Sequence, residues 1–90
     1  MAEARDDQAL RAKLLMAAAR LTHDRNDFAA SAALSRKMLD LYQAIGDRQG
    51  EADAHERLAT ALMNMYELEE ARRHFAQSAA LYQSFGQRHG

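Results

Sequence analysis

Apolar residues recur along most of the chain at steps of three and four, the spacing that gathers them on one side of an α-helix. Leu10, Leu14, Ala17, Ala18 and Leu21 form a first stripe, and Phe28, Ser31, Ser35, Met38, Tyr42 and Ile45 a second. Ala52, His55, Leu58, Ala59, Leu62 and Met65 form a third. Leu68, Ala71, Phe75, Ala79, Tyr82 and Phe85 form the fourth. The breaks between them carry helix-ending chemistry. Asn26 suits a positive φ, and Asp27 can cap the helix that follows. Gly46 suits the left-handed position after the second helix, as Gly86 does after the fourth, and Asp47 can cap the third. A polar break near Asn64 to Glu67 separates the last two, with Glu69 and Glu70 at the positive end of the final helix. The pattern predicts four antiparallel helices over roughly 5–25, 28–45, 48–65 and 68–85.

Those stripes repeat. Leu41-Tyr-Gln-Ala-Ile-Gly-Asp-Arg-Gln-Gly50 returns as Leu81-Tyr-Gln-Ser-Phe-Gly-Gln-Arg-His-Gly90, with Leu, Tyr, Gln, Gly, Arg and Gly each at an offset of about forty. Ala12 and Ala52, and Ala19 and Ala59, keep the same spacing. A polar tail or helix start over 1–8 is expected, followed by duplicated units over 9–50 and 51–90, each a helical hairpin.

Composition sharpens the class. Twenty alanines and eleven leucines stand against no valine, no tryptophan and no proline. Strands lack the β-branched residues that fill a pleated face, and unbroken helices are favoured. The fold class expected is all-α. The absence of cysteine removes disulfides, thiolate metal sites and cysteine nucleophiles. A net charge of -1 offers no general attraction for nucleic acid or anionic lipid. The longest nearly apolar stretch, Leu14 to Ala19, is far shorter than the roughly 20 residues that span a bilayer. A cytoplasmic chain with no membrane partner is the expectation.

The residues of the second unit resemble the tetratricopeptide repeat (TPR), in a longer form with a Gly-Asp-x-x-Gly connector. The resemblance rests on Leu58-Ala59, Leu62, Leu68-Glu-Glu-Ala71, Phe75 and Leu81-Tyr-Gln-Ser-Phe-Gly86. It implies two tandem TPR-like hairpins, part of an α-solenoid, in which Ala59 and Ala71 permit close helix approach while Leu62 and Phe75 fill gaps. There are departures: Tyr66 stands where the family commonly has a turn glycine, and the first unit has Thr22, Ser31 and Ser35 in place of larger groups. The period of forty is also nearer to armadillo and HEAT units, which are the alternative.

Catalysis finds little support in the residues. The carboxylates alternate with arginines, and Asp53–Arg57 and Glu69–Arg73 have the spacing of helix-surface ion pairs. Of the four histidines, none lies four residues from another on a helix, so no metal site and no cofactor are expected. His55 is expected at the edge of the core. Arg36-Lys37 and Arg72-Arg73 make a small basic edge that neighbouring Asp40, Glu69 and Glu70 offset, too little for nucleic acid. The chain is expected not to be an enzyme.

What the resemblance implies instead is a non-catalytic protein–protein interaction module. By position, a concave groove would present Lys13, Met16, Arg20, His23 and Asp24 from the first unit, alongside Ala17. Asp53, Glu56, Arg57, Thr60, Met63 and Asn64 would come from the second. Arginine, methionine and small polar groups suit a peptide or protein partner. Met16 and Asp53 occupy places where a carboxylate clamp wants basic groups, so no preference for chaperone C-terminal tails is expected. An uncovered side of the last helix, bearing Ala76, Ala80, Tyr82 and Phe85, is expected to self-associate into a homodimer, or to belong to a longer solenoid. The alternative function is a regulatory or sensor segment of a larger signalling or transcription-regulatory protein, holding a small effector in a cavity near Tyr66 and His55.

Overall fold

The computed structural model describes the backbone of residues 2–86 and the side chains of residues 6–84. Four helices follow one another: α1 (Ala2–Asp24), α2 (Phe28–Ile45), α3 (Arg48–Asn64) and α4 (Leu68–Gly86). The boundaries come from local chemistry. Asp27 accepts from the Ala30 amide at 3.2 Å and starts α2; Asp47 accepts from the Gly50 amide at 2.9 Å and starts α3. Gly46 ends α2 at φ 75°, where a side chain would be strained.

The two hairpin turns are built alike. Asn26 and Tyr66, forty apart, both take positive φ, at 62° and 63°. Around each the same bonds recur: Asp27 N–H to Thr22 and Glu67 N–H to Leu62, then Ser31 N–H to Asp27 and Ala71 N–H to Glu67. The position that commonly holds glycine in the resembled family thus keeps its left-handed backbone here despite carrying tyrosine.

Packing runs sequentially, α1 on α2, α2 on α3 and α3 on α4, in a body of 38 × 33 × 17 Å. This is an elongated all-α arrangement of helical hairpins, as in a solenoid, rather than a closed bundle. Alanine makes it possible. Ala12, Ala19, Met38, Tyr42 and Ala54 form one core cluster, and Ala32, Leu58, Ala61, Leu62 and Ala71 another. Small residues at the contacts bring helix axes close, and the fewer large ones fill what is left. Two serines tie the hairpins internally: Ser31 donates to the Ala19 carbonyl and Ser78 to that of Ala52.

The structure corrects the first stripe. Leu10, Leu14 and Leu21 are 58%, 63% and 59% exposed, and Ala17 is exposed too. The face of α1 that meets α2 carries Ala12 and Ala19, fully buried, with Leu15 and Met16 packed beside them. A periodic apolar stripe reports a face but not what covers it, and the alanines on the other side are weakly hydrophobic. Met65 and Leu68, expected in the third and fourth stripes, are exposed where the chain turns. The expected Asp53–Arg57 and Glu69–Arg73 pairs do not form. Asp53 instead accepts from the Tyr82 hydroxyl, and among the described residues the Arg ion pair joins Arg36 of α2 to Glu70 of α4 at 2.8 Å.

Candidate functional site

Among the described residues several surfaces have the geometry to hold something. The first is the expected groove. Lys13, Arg20, Asp24, Glu56, Met63 and Asn64 are exposed, while Met16 and His23 are half-buried. Several are engaged in the fold itself. Met16 packs against the core, His23 meets Phe28 edge-on at 5.5 Å, Thr60 donates to the Glu56 carbonyl, and Asn64 donates to that of Thr60. His23, Glu56, Arg57 and Thr60 are brought together with Ser31 around a cleft of about 140 Å³. That is below the roughly 300 Å³ at which small-molecule sites begin.

The second is a cleft of about 440 Å³ between α2, α3 and α4, lined by Leu39, Gln43, Glu51, His55, His74, Gln77, Ala80 and Leu81. Its floor is a histidine pair. The two Nδ1 atoms lie 2.9 Å apart, with ring centroids 5.1 Å apart and a 30° tilt. One Nδ1 must carry the hydrogen and the other accept it, which requires at least one neutral ring. Burial pushes both imidazoles below their ordinary range; each is then opposed by a carboxylate, Glu51 for His55 and Glu70 for His74. Arg36 holds Glu70 below the usual carboxylate range through their hydrogen bond. Among the described residues no group of three His, Cys, Asp or Glu side chains is arranged to hold a metal.

The histidine pair is not visible from spacing along one helix. Counting outward from Met65 on both arms of the hairpin would have set position 55 opposite 75, one residue from His74. Of the two residues expected at an effector cavity, His55 lines the cleft between α2, α3 and α4, whereas Tyr66 does not and is 86% exposed.

The third surface is the outward side of α1. At about 100° per residue, Leu10, Leu14, Ala17 and Leu21 share a strip opposite Ala12 and Ala19. Arg11, Lys13 and Arg20 rim it together with Asp6, Asp7 and Asp24, all exposed. The expected self-association residues Ala76 and Ala80 are likewise exposed on α4. Tyr82, 36% exposed, is tied to Asp53, and burial together with that carboxylate raises its phenol pKa. The side chain of Phe85 lies outside the described residues. No helix among those described is long and apolar enough to cross a membrane. No protein-family model matches the chain, and neither the curated proteins nor the solved structures yield a match.

Proposed function

We propose that the chain is a non-catalytic, TPR-like protein–protein interaction module of the cytoplasm, and that its principal docking surface is the outward face of α1. One observation carries this reading. The three exposed leucines sit at positions whose counterparts forty residues on, Gly50, Ala54 and Ala61, are buried. A contiguous apolar strip with a charged rim of both signs is what an amphipathic helix would cover. The expected groove adjoins this strip through Lys13, Ala17 and Arg20 and widens the contact. Asp27, Asp47, Asp53 and Glu70 accept hydrogen bonds within the fold, and His55 and His74 bond each other, which supports a structural use of these side chains over a catalytic one.

Site-specific photo-cross-linking tests the reading. A benzophenone side chain at position 14 is expected to trap a helical protein segment in cells of the source, with far lower yield from the same group at exposed Asp40. Equal yields at the two positions would overturn it. A second reading, a small effector held between hairpins, draws on the 440 Å³ cleft at His55. Ligand-induced shifts of the His55 and His74 imidazole resonances would favour it.

A further inference from the structure

The interior of the molecule contains a pattern for what covers α1. On α2, Ala32 and Tyr42 face α3. The Tyr42 ring lies so close to Gly50 that a Cβ there would overlap it; Tyr42 shares a core cluster with Ala54, and Ala32 shares one with Leu58 and Ala61. Moving each side by one repeat of forty turns this interface into two open faces. The α3 side becomes Leu10, Leu14, Ala18 and Leu21 of α1. The α2 side becomes Arg72 and Tyr82 of α4, with Ala79 in the place of Leu39 and Leu68 in the place of Phe28. Leu68 is 59% exposed, and Arg72 and Ala79 are exposed as well.

Resting on the interaction-module reading, we infer that copies of this chain stack head to tail, α4 of one copy lying antiparallel on the leucine face of α1 of the next, in the register of α2 on α3. The charges agree with this register. The acidic start of α4, with Glu67 and Glu69, comes to the end of the neighbouring α1 that runs into Arg25, while Arg72, in the place of Ala32, comes level with Ala18 and Leu21. An α1-on-α1 pairing in antiparallel sense would instead bring Lys13 against Arg20. Leucines replace Gly50, Ala54 and Ala61 in the new contact, so its helices stand further apart than α2 and α3 do. Because the two faces differ, the contact does not close on itself. It propagates until a ring forms or the copies run out.

Three chains tested by sedimentation across a concentration series decide the matter: wild type, Leu14→Glu and Ala79→Glu. Both substituted positions are exposed, and circular dichroism checks that each variant keeps the wild-type helical signal. The wild type is expected to grow beyond a dimer with concentration. Each variant loses one face and is expected to be monomeric, with association weakened by about tenfold or more. Mixed together, the two variants retain one complementary pair of faces and are expected to form a 1:1 dimer that grows no further. Loss of association in only one variant overturns the stack and indicates a pairing of like faces; a mixture that stays monomeric overturns it as well. A wild type that is monomeric throughout also overturns it, and leaves the cross-linking yield at position 14 to decide whether a different protein docks there.

Discussion

The first helices of the two hairpins, α1 and α3, descend from corresponding positions in the repeat and live in different surroundings. α3 is sandwiched. Ala52, His55, Ala59 and Leu62 line the side of its own hairpin, and Ala54, Leu58 and Ala61 the side of α2. α1 is covered on one side only, and on its other it carries leucines where α3 carries glycine and alanine. Small residues are needed where a neighbour is fixed close by, whereas large apolar residues at the same positions leave room for a neighbour held further away. The difference between the two helices is therefore one of cover: α3 has a neighbour on both sides and α1 on one.

The comparison breaks most sharply at Leu58. It is fully buried, and Leu58→Ala would leave a cavity between α2 and α3, costing about 2–5 kcal/mol. For a ninety-residue chain of ordinary marginal stability that is enough to unfold a large fraction. Leu14→Ala on the open face should change the stability of the isolated chain by no more than about 0.5 kcal/mol. Paired urea melts measure both. Similar losses in the two variants would mean that the α1 face is covered within the monomer.

Gly50 gives the next effect. Its missing side chain is what lets the Tyr42 ring seat against α3, and Gly50→Ala forces the ring or the helix to move. The expected loss is about 1–3 kcal/mol, the usual range for an overfilled contact. It should be recovered in part by Tyr42→Leu in the same chain. The corresponding open-face change, Leu10→Ala, should leave stability nearly untouched. A Gly50→Ala melt indistinguishable from wild type would show that the hairpins are not held at this distance.

Most of the helix plan is legible in the residues because helix ends are decided locally. Asp27, Gly46 and Asp47 each stop or start a helix through bonds to groups three or four residues away. The repeat is legible for the same reason, since its densest block spans a helix end. What covers each face is a long-range property. On α1 the conspicuous leucines point outward, and the inconspicuous Ala12 and Ala19 make the core. On α3 the stripe and the core coincide, so the same reasoning succeeds there. The contact between His55 and His74 belongs to the long-range class too. It joins two helices, and no spacing within either one contains it.

Acid should act on the second hairpin through its histidine pair. His55 and His74 both have pKa values lowered from 6.5 in the folded chain, so the unfolded chain binds protons more readily. The stability that their neutral forms support is present above about pH 6.5 and is lost as pH falls through the depressed folded values. With both rings protonated, both Nδ1 atoms are donors and the contact between them becomes repulsive. The melting temperature should therefore fall between pH 7 and pH 5, above the range in which Glu70 titrates. His74→Gln should flatten that slope. An unaltered slope in His74→Gln would remove the pair as its source.

The smallest effect separates the two turns. Asn26 and Tyr66 hold the same left-handed backbone, but asparagine tolerates it and tyrosine does not. For an ordinary residue the conformation costs about 1–2 kcal/mol. Glycine removes that strain, and returns about 0.5–1 kcal/mol of it through the greater freedom of the unfolded chain. The Tyr66 ring is 86% exposed, so little packing is lost with it. Tyr66→Gly should thus stabilise the chain by about 0.5–1 kcal/mol, a rise of a few degrees in melting temperature for a domain of this size. Asn26→Gly has little strain to relieve and should be close to neutral. If both substitutions behave alike, contacts of the Tyr66 ring within the chain offset the strain of its positive φ.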